Sequence, residues 1–185
     1  GLTNPPKTWE ELRQDAIKCT QRDKSGKLIK AGYYQLISQQ DHIIFQLQLE
    51  NFGQMPYSAD WKKTQYNASE TAYTAFEWFA NLTVKDKVSE PAFWESAYGA
   101  FTTGNACMII AGPQVIGQIK SSNPTFKWGT APMVTGPATD QKMATANNAQ
   151  YWTFAISSQA AKNPAKYNAA GRFIKYLLSE EAVRI

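Results

Sequence analysis

Apolar residues recur at every third or fourth position in several stretches of the chain, which is the spacing of helices with one buried face. In the first stretch, the Thr8 hydroxyl and the Glu11 carboxylate can form a capping box, so a helix is predicted to begin there. Its buried face is predicted to carry Trp9, Leu12, Ala16 and Cys19. Further helices are predicted from an N-cap at Asp41 to about Gly53, after a cap at Asn67 or Ser69, from about Pro91 to Thr103, from Val115, from Pro164 and after Ser179. Aromatic residues predicted to face the core in these later helices are Phe76, Phe79, Phe93, Trp94, Phe101, Phe173 and Tyr176.

Short apolar runs between these helices predict strands. They cover residues 33–37, 61–66, 105–111, 127–134 and 151–157, and the run at 105–111 is predicted to be buried on both faces. Residues 21–30 and 135–150 are polar and are predicted to be loops. Because strands alternate with helices, the predicted fold class is α/β, with a sheet flanked by helices.

Two of the predicted strands end in polar residues immediately before a helix. The residues at these two junctions are Gln39, Gln40, Asp41, His42, Gly112, Pro113 and Gln114. Open α/β sheets bind ligands at the carboxyl ends of their strands, next to helix N-termini, so both junctions are candidate ligand sites. A simple helix cap and turn is the alternative at the first junction.

Composition narrows the class of ligand. The chain has 185 residues, a net charge of +4 and only 18% charged residues, which argues against disorder and against nucleic acid as a partner. The densest basic stretch, residues 22–30, is interrupted by Asp23 and Gly26 and is predicted to be a solvated loop. Aromatic residues make up 13%, and Gln and Asn are frequent. Flat rings beside uncharged hydrogen-bonding groups suit a neutral polyhydroxylated ligand.

Sequence signatures of catalysis and of metal binding are missing. Cys19 and Cys107 have no CxxC spacing and the chain has one histidine, so no metal is expected, and both cysteines are predicted to be small buried core residues. No GxSxG, GxGxxG or GxxxxGK[ST] motif occurs, so no serine hydrolase and no nucleotide cofactor is expected. Two alternatives to a binding protein stay open: a carbohydrate hydrolase with Glu90 and Glu95 as its acids, and a non-catalytic interaction module.

Four segments carry motifs that occur together in one family. Residues 4–12 read NPPKTWEEL, residues 101–113 read FTTGNACMIIAGP, residues 126–132 read FKWGTAP, and residues 154–157 with 173–177 read FAIS and FIKYL. In this order they resemble the PPxTWxEL entry, the F..G.aaM....GpW segment, the following strand and the aIs…kFikyL ending of family 1 extracellular solute-binding proteins of ABC importers. This group contains the maltose-binding protein.

The resemblance implies a type II periplasmic-binding-protein fold, in which two α/β lobes close on a solute and deliver it to a membrane permease without catalysis. It also implies an extracytoplasmic location, in the periplasm or anchored at the cell surface, and a sugar as the most fitting solute. By position, the residues that would face the ligand are Gln39, Gln40, Asp41, His42, Gly112, Pro113, Gln114, Asn147, Asn148 and Trp152. Sugar-binding relatives often carry Trp after the GP pair, where this chain has Gln114, and Trp61 or Trp152 are the candidate substitutes.

The chain is about half as long as family members. The resemblance assigns residues 1–148 to the C-terminal lobe and residues 149–185 to a strand and helices that cross back to an N-terminal lobe, which is expected to be absent. A single lobe offers half of the ligand contacts, so this chain is expected to bind weakly or not at all, whereas a two-lobed protein would bind well. The strand and helices of residues 149–185 are expected to repack on the first region or to associate with a second copy.

Overall fold

The computed structural model describes residues 4–35, 41–147 and 153–183. The contacts within the chain group its residues into two compact units, Gly1–Asn148 and Ala149–Ile185. In chain order the described elements are α1 (Trp9–Cys19), β1 (Gln21–Arg22), β2 (Leu28–Tyr33), α2 (Asp41–Phe52), α3 (Glu70–Val84), α4 (Ala97–Thr102), β3 (Ala106–Met108), α5 (Gln114–Ser122), α6 (Gln141–Ala144), α7 (Ser158–Ala161), α8 (Pro164–Leu177) and α9 (Glu180–Val183).

The helix starts agree with the capping residues predicted from the sequence. Thr8 caps α1 by accepting a hydrogen bond from the Glu11 N–H at 3.1 Å, while the Glu11 carboxylate accepts from the Lys7 N–H at 2.7 Å. Of the two predicted caps for α3, Ser69 is the one used. Asn163 caps α8, with Pro164 in its first turn. α2 begins at Asp41 itself, one residue earlier than a cap at Asp41 implies.

The sheet has three strands in the order β1-β2-β3. β1 and β2 are antiparallel, whereas β2 and β3 are parallel, with Ala31 opposite Ala106 and Tyr33 opposite Met108. The predicted loop at residues 21–30 is therefore wrong, because it contains β1, a turn and the start of β2. The Asp23 carboxylate closes that turn by accepting from the Ser25 and Lys27 N–H groups at 2.8 and 3.0 Å.

Several predicted strands are wrong. β3 has three residues instead of the seven predicted for 105–111, and β2 ends where the predicted strand 33–37 begins. Residues 127–134 and 153–157, all described, form no strand, and residues 61–66 contribute a single bridge between Thr64 and Tyr57. A strand needs a partner of matching register, which a local apolar run does not supply. Where residues 127–134 end, Thr135 pairs with the chain before α1, through Trp9 N–H to Thr135 O at 3.1 Å and Thr135 N–H to Lys7 O at 2.8 Å.

Two helix predictions also need correction. α4 begins at Ala97 instead of about Pro91, and its N-cap is Ser96, whose hydroxyl accepts from the Gly99 N–H at 3.0 Å. The long loop predicted for residues 135–150 contains α6, capped by Asp140. Both cap residues are of the types that favour helix starts, so the local signal was present in the sequence.

Two clusters of buried side chains flank β2. Trp9, Leu12, Ala16, Tyr33, Leu82, Val88 and Val134 form the first cluster. Leu28, Ala31, Tyr34, Ala100 and Ala106 form the second. The protein is thus α/β, with a small sheet flanked by helices, as predicted.

Some residues predicted to face the core are exposed. α3 buries Ala72, Ala75 and Leu82, while Phe76 is 57% exposed. On α8, Phe173 is 61% exposed and no described residue of that helix is buried. Amphipathic spacing identifies an apolar face, but it does not show whether another element covers that face.

A disulfide joins Cys19, the last residue of α1, to Cys107 in β3. The two cysteines are separated by 88 positions in sequence, and their Cα atoms are 6.4 Å apart. The interpretation of both as buried core thiols is therefore wrong: they are half-buried and bonded to each other. Their separation in sequence gave no indication of their proximity, which depends on how α1 packs against the sheet.

The described residues contain no helix long and apolar enough to cross a membrane. Within the same residues, no group of three or more His, Cys, Asp or Glu side chains is arranged to hold a metal ion.

Candidate functional site

The parallel pairing of β2 and β3 brings the carboxyl ends of both strands to one edge of the sheet. The ladder extends one residue past β2, where the Tyr34 N–H donates to the Met108 carbonyl at 3.1 Å. We call this region the strand edge: Tyr34 and Gln35 after β2, and residues 109–114 after β3. The second candidate ligand junction, formed by Gly112, Pro113 and Gln114, lies in this region after the carboxyl end of β3, as an open α/β sheet would place it.

The structure describes part of the predicted ligand set. Gln39, Gln40, Asn148 and Trp152 lie outside the described residues, and Asp41 and His42 are the first two residues of α2. Gly112, Pro113 and Gln114 are exposed at the start of α5, and Asn147 is exposed after α6. The contribution of these residues to ligand binding stays a prediction.

Gln114 folds back over Gly112 at the start of α5. A Cβ atom added at residue 112 would lie 2.2 Å from the Gln114 Oε1 atom, so glycine leaves the space that this amide occupies. The Gln114 side chain is exposed and carries both hydrogen-bond donors and an acceptor, which is what a ligand hydroxyl requires.

A small pocket lies beside the end of β2, and no motif in the sequence predicted it. It has a cavity volume of about 30 Å³, enough for a water-sized group. It is lined by Tyr33, Tyr34, Gln35, Phe79, Leu82, Thr83, Ser89, Glu90, Pro91 and Ala92. We call it the strand-end pocket. Its lining combines aromatic rings with hydroxyl, amide and carboxylate groups.

One polar atom of this pocket lacks a partner. The Gln35 Oε1 atom accepts a hydrogen bond from the Tyr33 hydroxyl at 2.6 Å, but the Gln35 Nε2 atom is buried and has no hydrogen-bond partner among the described residues. Across the pocket, the hydroxyls of Thr83 and Ser89 are 3.3 Å apart. A buried amide donor without a partner is costly, which marks Gln35 as a position where a ligand hydroxyl or a water is needed.

An ion pair fixes the pocket wall that contains Glu90. The Arg22 guanidinium donates to the Glu90 carboxylate at 2.5 Å and to the carbonyls of Gly26 and Lys87, each at 2.8 Å. Arg22 therefore links the β1–β2 hairpin to residues 87–90. The prediction that it belongs to a solvated basic loop is wrong. Its partner Glu90 has a structural role that the carbohydrate-hydrolase alternative did not anticipate.

A buried amide organises the segment that leads to Asn147. The Asn51 Oδ1 atom accepts from the Trp9 indole N–H at 3.0 Å, and its Nδ2 atom donates to the carbonyls of Met143 and Ala146 at 2.8 and 3.2 Å. Asn51 is fully buried, and these three bonds use both N–H groups of its amide and give its oxygen a donor. They join α1, α2 and α6 at one point. No motif in the sequence pointed to this residue.

Comparison with known proteins gives a family match. The family model described as "Bacterial extracellular solute-binding protein" matches residues 1–184. Comparison with curated protein sequences gave no match.

Three solved structures are similar in fold. A maltose-bound MalE3 of T. maritima has a TM-score of 0.74 and 23% identity over 98% of this chain and 45% of its own. The maltose/maltodextrin-binding domain MalE of Bdellovibrio bacteriovorus, bound to maltotriose, has a TM-score of 0.67 and 22% identity. The match covers 98% of this chain and 46% of that structure. An ABC transporter solute-binding protein of Thermotoga lettingae, bound to α-D-tagatose, has a TM-score of 0.56 and 25% identity. The match covers 65% of this chain and 31% of that structure. The chain thus spans less than half the length of each of these structures.

Proposed function

The chain belongs to the bacterial extracellular solute-binding proteins, and we propose that its solute is a carbohydrate, bound at the strand edge. The observation that carries this proposal is the buried Nε2 atom of Gln35 in the strand-end pocket, which has no hydrogen-bond partner within residues 4–35, 41–147 and 153–183. A sugar hydroxyl that enters the pocket can accept a hydrogen bond from this amide.

The size of the strand-end pocket limits what it takes up. A cavity of about 30 Å³ admits one hydroxyl or hydroxymethyl group and not a whole ring. The body of the sugar would therefore lie over the strand edge, within reach of the Gln114 amide. All three solved structures described above contain bound sugars, and this supports the proposal that the solute of this chain is a carbohydrate.

We further propose that binding serves uptake. In a longer protein a second lobe would cover the strand edge, the sugar would favour the closed state by contacting both lobes, and an ABC permease would receive it. The family description supports an extracytoplasmic location, and the Cys19–Cys107 disulfide suits the oxidising environment found there. Catalysis has no part in this function.

The first test is a thermal-shift and calorimetric titration of the chain, at solute concentrations high enough to detect the weak binding expected of one lobe, with mono- and oligosaccharides, amino acids, polyamines and phosphate esters. We expect sugars alone to raise the unfolding midpoint, without release of a reaction product. A response restricted to charged solutes would refute the proposal that the solute is a carbohydrate, but it would agree with membership of the solute-binding family. Turnover of a glycoside would refute the binding role, and silence throughout would leave the interaction module as the better reading.

The site itself is tested by Gln35→Met, which removes the amide and keeps the approximate size of the side chain. We expect sugar affinity to fall about three- to tenfold, the usual loss for one hydrogen bond to a hydroxyl. The matched control is Gln118→Met on the exposed face of α5, which should bind as the unaltered chain does. Equal binding by both variants would place the sugar elsewhere.

A further inference from the structure

Arg22 lies at an irregularity in the pairing of β1 with β2. Gln21 stands opposite Lys30. The next residue, Arg22, stands opposite Leu28, so β2 advances by two residues where β1 advances by one. A bulge of this kind changes the twist of the hairpin and the direction of the side chains beside it. From this position the Arg22 guanidinium donates to the Glu90 carboxylate, 68 positions later in the chain. The irregular pairing thus accompanies a contact between the hairpin and the strand-end pocket.

Glu90 belongs to a short stretch, residues 89–92, that we call the pocket wall, because all of these residues line the strand-end pocket. Before it, Val88 is fully buried and makes backbone hydrogen bonds to α3 and to β2, each of 2.9 Å. After it, the Trp94 N–H donates to the Tyr34 hydroxyl at 3.0 Å, and this hydroxyl donates to the Trp94 carbonyl at 2.8 Å. The pocket wall therefore spans two fixed points.

Between these points the pocket wall forms a strained turn. The Phe93 N–H donates to the Glu90 carbonyl at 3.2 Å, which closes a β-turn. Pro91 is in the second position, as is common in such turns. In the third position, Ala92 has φ of 56°, in the left-handed region that favours glycine. A strained turn persists where other contacts hold it in place. The bond from Arg22 to Glu90, the first residue of the turn, is one such contact.

Arg22 acts on this turn from outside the pocket. It is not one of the residues that line the cavity, whereas its partner Glu90 is. The guanidinium also donates to the carbonyls of Gly26 and Lys87, each at 2.8 Å, so it holds the carboxylate relative to both the hairpin turn and the residue before Val88. A planar guanidinium can make these bonds at once in one fixed geometry. Removing it takes a support from Glu90 and leaves every lining residue in the chain.

We propose that Arg22 is a positioning residue for sugar binding and determines the size of the group that the strand-end pocket admits. This inference rests on the proposed function and adds to it a determinant of specificity that does not touch the sugar. The cavity of about 30 Å³ fits one hydroxyl or hydroxymethyl group while Glu90 is held in the pocket wall. Without the guanidinium, the pocket wall can relax from its strained turn, and larger groups should then enter.

The test compares Arg22→Gln with the unaltered chain by calorimetry. The probes are the sugar with the largest response in the titration above and its mono-O-methyl ethers, each of which enlarges one hydroxyl. For the unaltered chain, we expect the ether at the hydroxyl that enters the pocket to bind about tenfold more weakly than the parent sugar, because a cavity of this size cannot take the added methyl group. Arg22→Gln should reduce this difference to about threefold or less.

The matched control is Arg13→Gln. Arg13 also pairs with a carboxylate after α3, that of Asp86, with 2.6 Å between Nε and Oδ2, and its side chain is 24% exposed against 26% for Arg22. It holds the chain before Val88, outside the pocket wall, so its loss should lower stability without changing the ratio of the two affinities. Arg22→Lys keeps the charge but cannot donate in the same planar fork, so we expect a ratio between those of Arg22→Gln and the unaltered chain.

Two further readouts separate positioning from a loss of overall stability. Because the pair of Arg22 with Glu90 is partly exposed, about 1 M sodium chloride should weaken it and move the unaltered chain toward the affinity ratio of Arg22→Gln, although the sugar carries no charge. In the absence of sugar, Arg22→Gln should speed hydrogen exchange in residues 89–93 and leave the rest of the first unit unchanged.

Three outcomes would overturn this inference and leave the proposed function standing. They are equal binding of all ethers by the unaltered chain, the same change of ratio in Arg22→Gln and Arg13→Gln or in neither, and faster exchange throughout the first unit of Arg22→Gln. Failure of the unaltered chain to bind any sugar would instead overturn the proposed function, and this inference with it.

Discussion

Two amide side chains on α2 are buried to the same extent but differ in their hydrogen bonding. Asn51 and Gln48 are both 0% exposed. Asn51 makes three hydrogen bonds, to Trp9, Met143 and Ala146. Neither the Oε1 nor the Nε2 atom of Gln48 has a partner in the part of the chain that the structure describes. Because an unpaired buried polar group costs about 1–3 kcal/mol, Gln48 weakens the fold where Asn51 stabilises it.

We therefore predict that Gln48→Met raises the free energy of unfolding by about 1–2 kcal/mol, since methionine fills a similar volume without polar atoms. Urea denaturation measures this difference. The control is Gln46→Met, two residues away on α2, which should destabilise because it removes hydrogen bonds to the hydroxyls of Tyr57 and Tyr66. A loss of stability in both variants would show that Gln48 is satisfied in solution, for example by a buried water.

At the scale of elements, the sequence predicted helix starts better than strands, and the reason is physical. The caps at Thr8, Ser69 and Asn163 each depend on a side chain and an amide two or three residues away, so the local sequence contains the whole interaction. A strand depends on a distant partner: β2 pairs with β3 across more than 70 positions. Local apolar runs at 127–134 and 153–157 lack such partners among the described residues and form no strand.

The same distinction applies to the candidate site. Polar residues after a strand and before a helix are visible in the sequence, so the junctions at Asp41 and at Gly112 could be named in advance. The strand-end pocket could not, because Gln35, Thr83 and Glu90 meet only after α3 and the segment that follows it pack beside β2. A site whose residues all lie in one segment can be predicted from the sequence, whereas a site formed by residues from several segments cannot.

The disulfide is the element-scale contact with the largest expected effect. β3 contains three residues, and Cys107 in its centre is tied to the end of α1. We predict that the double variant Cys19→Ser, Cys107→Ser unfolds with a free energy lower by up to about 4–5 kcal/mol, the chain-entropy value for a loop near this length. Guanidinium denaturation with and without reductant measures it. Reductant should lower the stability of the unaltered chain to that of the variant and should not affect the variant; equal stability of all four samples would refute a stabilising disulfide.

At the scale of the whole molecule, buried residues are distributed very unevenly. The buried residues of the described chain lie between Trp9 and Ala144, inside the first compact unit. In the second unit, the described part of α7, α8 and α9 contains none, and α8 exposes Phe173 and Tyr176 at 61% and 44%. Apolar burial is the main driving force of folding, so the first unit contains the interactions that decide stability. Both expectations for residues 149–185, repacking on the first region or association with another copy, stay predictions.

We predict that residues 1–148 alone unfold in one cooperative transition, with a midpoint within a few degrees of that of the whole chain, because they retain the buried residues, the sheet and the disulfide. Residues 149–185 alone should show little helical circular dichroism, since short helices without a buried face are marginal in water. Calorimetry of the two truncated chains and of the whole chain measures both expectations. A large fall in the midpoint on removing residues 149–185 would contradict them, because it would mean that the second unit covers apolar surface on which the first depends.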